Sequence, residues 1–188
     1  MSLESQDASF DPKEILEKMR QDYWEQLGRP PAVEEGESLP ALTFLVEGQV
    51  YAVRVEAVRE VIKVPPWITR VPRSPRHVMG IFNLRGQIVP VLDIRQDPRG
   101  RPVETGQIVV LKNPGQDVGL YVDKVQGLPE IRMADVQKPQ ALTGPLTDDM
   151  ILGQLEILDE ETGKRKIAVL IDPAAFLRSD AFSFSELR

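Results

Sequence analysis

The stretch from Gly80 to Arg95 constrains the fold more than any other part of the sequence. It reads Gly-Ile-Phe-Asn-Leu-Arg-Gly-Gln-Ile-Val-Pro-Val-Leu-Asp-Ile-Arg. Two apolar runs flank Asn83-Leu84-Arg85-Gly86, where asparagine and glycine favour a tight bend. The spacing therefore predicts a β-hairpin with buried apolar residues and with Arg85 at the bend, its charged head directed to water or a partner. A fixed cation framed by apolar residues suits recognition of another protein.

Short apolar segments separated by turn signals recur along the chain after Pro40. Predicted strands, beginning with the alternation of Leu42, Phe44 and Val46, cover residues 42–46, 50–55, 61–64, 88–94, 108–111, 118–122, 128–133, 151–158 and 166–171. Helical turns are expected at 56–60 and 74–79, and Asp172-Pro173 begins a short C-terminal helix. Many short strands with regular turns indicate barrels or a sandwich.

A weak internal repeat supports two lobes. Five positions align with five others at one constant offset: Val53, Val55, Glu56, Val58 and Val61 with Leu120, Val122, Asp123, Val125 and Leu128. Two strands of similar composition match this way fairly often, so the pattern carries little weight by itself.

Residues 1–40 differ in composition from the rest of the chain. Asp11 and Pro12 are typical of a helix start, and Gly28 with Pro30-Pro31 of a helix end. Apolar residues recur at helical spacing between them: Leu16, Met19, Tyr23 and Leu27. The pattern predicts an amphipathic helix at about 12–27 followed by an acidic linker. The helix either packs on its own domain or docks a partner, since an isolated helix of this length is marginal in water.

The residues needed for catalysis or metal binding are scarce. The chain has no cysteine and one histidine, His77, whereas zinc sites generally need three or four protein ligands. No glycine-rich loop ends in Gly-Lys-Ser/Thr, and the adjacent carboxylates Asp148-Asp149 and Glu160-Glu161 lie in predicted turns that face water. The sequence predicts no enzyme, no cofactor and no metal. No apolar run is long enough to insert into a membrane, and the polar N-terminus and absent cysteine fit a cytoplasmic protein.

Charge is distributed unevenly along the chain. The net charge of -6 argues against general nucleic-acid binding. Residues 54–101 nevertheless carry ten Lys/Arg against four acids, and residues 1–40 carry ten acids against four bases. The basic segment is either a solvated face or a surface for an acidic protein partner. An alternative function is a small-barrel nucleic-acid-binding protein using the Arg-rich 54–101 region, but few aromatic residues that could stack on bases accompany those arginines.

The sequence resembles the CheW family of chemotaxis coupling (adaptor) proteins from about Leu42 to Leu177. The family signature Gly-x-x-Asn-Leu-Arg-Gly-x-x-x-Pro-x-x-Asp-Leu-Arg is nearly complete at Gly80 to Arg95, with Ile94 replacing the usual leucine. The resemblance implies a mainly β, CheW-like fold of two SH3-like five-stranded β-barrels sharing a hydrophobic junction, with an N-terminal helical extension and a short C-terminal helix. The expected domains are an extension at 1–40, a CheW-like domain at 41–180 and a tail at 181–188.

The resemblance also implies a function. The expected protein is a non-catalytic scaffold of a bacterial chemosensory array, in the cytoplasm, coupling methyl-accepting chemoreceptors to the regulatory domain of a CheA-type histidine kinase. Contact with other CheW-like domains in array rings is left open, and no nucleic acid is expected. The receptor's cytoplasmic hairpin tip would contact five positions: Val58, Glu60, Val61, Asn83 and Arg85. Arg85 either bonds a receptor group or pairs with Glu60 inside the free protein.

Overall fold

The computed structural model describes residues 38–96, 105–139, 146–159 and 162–178. The predicted N-terminal helix, with Leu16, Met19, Tyr23 and Leu27, lies outside these residues, as does the tail at 181–188. Within the described ranges the chain forms eleven strands and one α-helix: β1 (Ser38–Val46), β2 (Gln49–Arg54), β3 (Val58–Lys63), β4 (Val78–Leu84), β5 (Gln87–Asp93), β6 (Gln107–Leu111), β7 (Val118–Val122), β8 (Lys124–Gly127), β9 (Glu130–Arg132), β10 (Ile151–Leu158), β11 (Arg165–Ile171) and α1 (Pro173–Arg178). Short 3-10 turns occupy Val55–Ala57, Met133–Asp135 and Asp148–Met150.

The strands form two sheets, one from the middle of the chain and one from its flanks. The middle sheet has the order β3-β6-β7-β5-β4. The flanking sheet has the order β10-β11-β2-β1-β8, and the short strand β9 also pairs with β1. Its count within the described residues is therefore six rather than the predicted five, because β1 is long enough to pair with β8 at one end and β9 at the other.

The two sheets share one topology after a cyclic change of strand order. Strands β3, β4, β5, β6 and β7 of the middle sheet correspond in position to β8, β10, β11, β1 and β2 of the flanking sheet. In each sheet the second strand of an antiparallel hairpin also pairs in parallel with a third strand. These parallel pairs are β5 with β7 and β11 with β2. The weak internal repeat in the sequence agrees with this correspondence, since it aligns β2 with β7 and β3 with β8.

Three apolar clusters hold the sheets. One lies against the middle sheet alone and includes Phe82, Val89 and Val110. A second lies against the flanking sheet alone and includes Leu155 and Leu170. The third and largest draws side chains from both sheets: Leu42, Phe44, Val46, Tyr51 and Val53 from β1 and β2, and Val109, Leu111, Val118, Leu120 and Val122 from β6 and β7. This third cluster is the predicted hydrophobic junction.

The predicted C-terminal helix is present as α1. Asp172 precedes it and its Oδ1 accepts hydrogen bonds from the amides of Ala174 and Ala175, at 2.9 and 3.1 Å. Pro173 occupies the first turn, where its missing N–H costs no hydrogen bond. Phe176 is fully buried in the junction cluster. The helix therefore seals the junction between the sheets.

Two local predictions were wrong. The predicted helical turn at 74–79 is a β-turn, in which the amide of Val78 donates to the carbonyl of Pro75 at 3.0 Å, and β4 begins at Val78. Pairing of Val78 with Leu92 of β5 brings Val78 and Met79 into the sheet, so a helix cannot continue past His77. The strand predicted at 128–133 is shorter in the structure: β9 covers only Glu130–Arg132, between Leu128-Pro129, which separates it from β8, and the 3-10 turn that begins at Met133.

The loop of residues 64–77, between β3 and β4, is fixed to the edge of the middle sheet. Thr69 and Ile81 exchange two backbone hydrogen bonds of 2.8 Å each. The approach is close because Gly80 lies beside the loop, with φ of 155° and no side chain. A Cβ at Gly80 would lie 2.5 Å from the carbonyl oxygen of Thr69 and 2.7 Å from Cγ2 of Ile68.

We therefore expect Gly80→Ala to lower the free energy of unfolding by about 2 kcal/mol or more, because it adds a backbone clash to an unfavourable φ. Gly115→Ala is the matched control, since Gly115 also has a positive φ, 93°, but open space around its Cα. It should cost about 1 kcal/mol. Urea unfolding measures the free energy of unfolding of both variants. Equal losses would contradict the prediction, because they would show that the loop can move away from residue 80 without a loss of stability.

Candidate functional site

The hairpin of β4 and β5 turns through Arg85 and Gly86. Both residues have positive φ, 52° and 90°, the combination typical of a type I′ two-residue turn. The Oδ1 of Asn83 accepts a hydrogen bond of 2.8 Å from the amide of Gly86. Asn83 therefore holds the turn that places Arg85, which explains why asparagine and glycine bracket this arginine.

Arg85 pairs with Glu60 across the sheet. The Nη2 of Arg85 lies 2.9 Å from Oε2 of Glu60, which extends from β3. The Arg85 side chain nonetheless stays 79% exposed, whereas that of Glu60 is 22% exposed. The internal pair weighed from the sequence is therefore present. It orients the guanidinium without using its other N–H donors.

Val58 and Val61 lie on the same strand as Glu60, but their side chains pack against the junction cluster, whereas Glu60 pairs with Arg85. The register shifts between Val58, opposite Leu111, and Glu60, opposite Val110. This bulge adds one residue, so Val58 and Val61 both pack against the junction cluster although they are three apart. Glu60 faces the other side, toward the hairpin. The structure thus brings together Glu60, Asn83 and Arg85 and places the two valines across the strand from them.

Strand β3 is at the edge of its sheet. Among the described residues it pairs with β6 on one side and with no strand on the other. Val58, Glu60 and Val61 are all only partly buried. A partner lying along this edge can therefore reach the valines on one face of β3 and the Glu60–Arg85 pair on the other.

The far end of the hairpin contains a buried ion pair that sequence reasoning missed. Arg95 bonds Asp93 through Nε, at 2.9 and 3.0 Å, and through Nη2 at 2.6 Å. Both side chains are 1% exposed. The Arg95 guanidinium also lies 4.5 Å from the ring centre of Tyr121. Its only sequence signal was the Asp-x-Arg spacing that closes the family signature.

The pKa values of this buried group shift accordingly. The hydrogen bonds from Arg95 to Asp93 raise the pKa of Arg95, against the opposing effect of burial. Burial raises the pKa of Tyr121, while the positive charge of Arg95 opposes that rise. Arg95 stays charged and Tyr121 stays neutral across the physiological pH range. The contact between the guanidinium and the ring is therefore the same throughout that range.

Much of the predicted basic surface is neutralised within the chain. Four arginines of the 54–101 segment have carboxylate partners: Arg54 with Glu56, Arg59 with Asp117, Arg85 with Glu60 and Arg95 with Asp93. A phosphate-binding surface needs cations that are free to meet phosphates. The pairing therefore weakens the nucleic-acid alternative, and among the described residues of this segment the exposed cations without a carboxylate partner lie in residues 63–76.

The described ranges contain neither a metal-binding cluster nor a membrane-spanning helix. No group of three or more His, Cys, Asp or Glu side chains there could hold a metal ion. No helix in those ranges is both long and apolar enough to cross a membrane.

Comparison with known proteins places the fold in one family. The family model for the CheW-like domain matches residues 40–181. The chemotaxis protein CheW of Treponema pallidum is 29% identical over 124 residues, which cover 62% of this chain and 72% of that protein. The chemotaxis protein CheW of Helicobacter pylori is 27% identical over 111 residues, covering 57% and 67%.

A solved structure shows the same architecture. The scaffolding protein TtCheW of Thermoanaerobacter tengcongensis superposes with a TM-score of 0.63 over 84% of this chain and 99% of that protein, at 23% identity. The two-sheet arrangement is therefore the CheW-like fold, as the sequence predicted. Since the family model covers most of the sequence, the chain belongs to the CheW family.

The two arginines of the signature should differ sharply in their effect on stability. Arg95→Met leaves the Asp93 carboxylate buried without its partner and should lower the free energy of unfolding by about 3 to 5 kcal/mol. Arg85→Met removes an ion pair whose arginine is mostly exposed and should cost less than about 1 kcal/mol. Urea unfolding followed by circular dichroism separates them. Similar losses for both variants would contradict the assignment of Arg95 to structure and Arg85 to the surface.

Proposed function

We propose that this protein is a non-catalytic scaffold of a bacterial chemosensory array that couples methyl-accepting chemoreceptors to a CheA-type histidine kinase. It acts in the cytoplasm, where the receptors' signalling tips lie. The observation that carries the proposal is the family match over residues 40–181, combined with an exposed Arg85 held on a rigid turn. The relatives named as chemotaxis proteins and the scaffolding protein with the same fold support it.

Arg85 is the residue through which the scaffold recognises the receptor. A non-glycine residue at positive φ costs about 1 kcal/mol of strain, and glycine at this turn position would avoid that strain. An arginine held there is best explained by what its side chain binds. The planar guanidinium can make a forked bond to a receptor carboxylate or to carbonyl groups at a helix end, and Glu60 keeps it pointed outward.

Val58 and Val61 supply the apolar part of the same interface. A helical hairpin tip presents apolar ridges flanked by polar side chains, so its binding surface should combine both characters. The tip lies along β3, with its apolar ridge on the two valines and a polar flank at Glu60, Asn83 and Arg85. Receptor state reaches the kinase as a change in packing among three proteins.

The kinase contributes its regulatory domain, which docks barrel end to barrel end with this scaffold. Other CheW-like domains are further candidates for the same kind of contact in array rings. The flanking sheet remains available for these contacts while the receptor occupies β3.

The Arg85→Gly variant tests the proposal most cleanly. The sequence at the turn becomes Gly-Gly, which suits a type I′ turn, so the melting temperature should stay unchanged or rise slightly. Binding of the full-length protein to a receptor signalling fragment should weaken at least about tenfold, as expected for a central arginine anchor. Co-sedimentation with that fragment and a CheA-type kinase from the same cell measures the loss.

The matched control is Arg165→Gly on β11. Arg165 is 80% exposed and paired with Glu156, so it resembles Arg85 in exposure and pairing but lies on the other sheet. It should bind the receptor fragment like the natural protein. Failure of the natural protein to co-sediment with receptor or kinase would overturn the proposed function, and equal binding by both variants would overturn the role of Arg85.

A further inference from the structure

The loop of residues 64–77, called here the basic loop, carries positive charge that the rest of the described chain does not neutralise. Arg70, Arg73 and Arg76 are exposed, and none of them forms an ion pair with another described residue. The sequence contains no Asp or Glu from Val61 to Leu92. The loop therefore differs from the neighbouring arginines at 54, 59, 85 and 95, each of which has a carboxylate partner.

The same loop exposes a large aromatic side chain. Trp67 is 67% exposed, the highest fraction among the large apolar residues that are exposed in the described part of the chain. Tryptophan and arginine are both enriched among the residues that dominate the binding energy of protein interfaces. Its indole supplies a large apolar surface in the same loop as the three arginines.

The basic loop is held in one conformation before any partner binds. Its backbone bonds to Ile81 through Thr69, and the amide of Ser74 donates to the carbonyl of Val71 at 3.3 Å, which closes a tight turn. Prolines fix φ at four of its positions: Pro65, Pro66, Pro72 and Pro75. A loop already ordered loses little conformational entropy on binding.

Arg73 is strained within that turn. It follows Pro72 and has φ of 63°, at the position of a type II turn that favours glycine or asparagine. The strain is similar to that of Arg85, and its occurrence at a second arginine points again to a side chain retained for binding.

We propose that the basic loop docks an acidic segment of a partner protein, with Trp67 as the apolar anchor and Arg70, Arg73 and Arg76 meeting its carboxylates. The residues of this surface are different from those of the Glu60–Arg85 edge, and the proposal does not depend on the function proposed for that edge. A protein segment fits better than nucleic acid, because one tryptophan offers a poor stacking platform and the chain carries a net charge of -6. A membrane fits less well, because anionic lipid surfaces attract clusters of about four to eight basic residues.

The test uses the full-length protein and a fluorescein-labelled, 20-residue amphipathic peptide in which glutamates alternate with apolar residues. A second peptide has glutamine at every glutamate position. Fluorescence anisotropy at low salt should show binding of the glutamate peptide and at least about tenfold weaker binding of the glutamine peptide. In a Trp24→Phe background Trp67 is the only tryptophan, and its emission should shift to shorter wavelength when the glutamate peptide binds.

Three variants assign the binding to the loop. Trp67→Ala and Arg73→Gly should each weaken binding about tenfold, and Arg73→Gly should do so with an unchanged or higher melting temperature because glycine relieves the turn. Arg165→Gly, on the other sheet, is the control and should bind within twofold of the natural protein. Circular dichroism checks that each variant keeps its strand content.

Three outcomes would overturn the proposal. One is equal affinity for the two peptides, and another is unchanged affinity in both the Trp67 and Arg73 variants. The third is tighter binding to a mixed-sequence single-stranded oligonucleotide or to phosphatidylglycerol vesicles than to the glutamate peptide. That last result would assign the basic loop to a nucleic acid or a lipid surface instead.

Discussion

The buried ion pair of Asp93 and Arg95 fixes the inner end of the hairpin on which the functional interpretation depends. Two polar side chains that are 1% exposed are accommodated there because each bonds the other and Tyr121 covers the guanidinium. With one end anchored, the strands extend outward to a turn that Asn83 closes by its own hydrogen bond. The buried Arg95 and the exposed Arg85 therefore lie at opposite ends of one hairpin.

The two sheets share one topology but differ at the tips of their equivalent hairpins. Both contain a glycine at the same place in the hairpin, Gly80 and Gly153, each with an extended positive φ and each pressed against the backbone of a loop. The turns at the hairpin tips differ. In the flanking sheet Asp159 is buried at the turn, where the hydrogen bond from Lys166 holds its pKa well below its usual range. The turn of the middle sheet instead carries Arg85, whose side chain stays 79% exposed although it pairs with Glu60.

Much of this architecture could be predicted from the sequence because it follows from local patterns. The bend at Asn83-Leu84-Arg85-Gly86, the strand at Val118–Val122 and the capped helix after Asp172 each follow from turn chemistry or from short apolar runs. The family signature supplied the two-lobed fold, which the apolar runs by themselves left as a barrel or a sandwich.

The remaining features depend on residues distant in sequence. The bulge at Arg59 changes which cluster Val61 contacts, and nothing in the pattern Val-Arg-Glu-Val-Ile indicates it. The burial of Arg95 depends on Tyr121, and the pairing of Arg59 depends on Asp117. A count of arginines therefore overstated the basic surface, because the count could not reveal which of them would meet carboxylates after folding.

The most direct test of the central claim is a residue-by-residue map of the receptor contact by nuclear magnetic resonance. Backbone amide signals of the isotopically labelled full-length protein are followed while an unlabelled receptor signalling fragment is added. The account predicts the largest shifts at Val58 to Val61 and at Asn83 to Gly86, with little change around the buried Arg95. Shifts confined to the flanking sheet, with the hairpin turn unaffected, would contradict it.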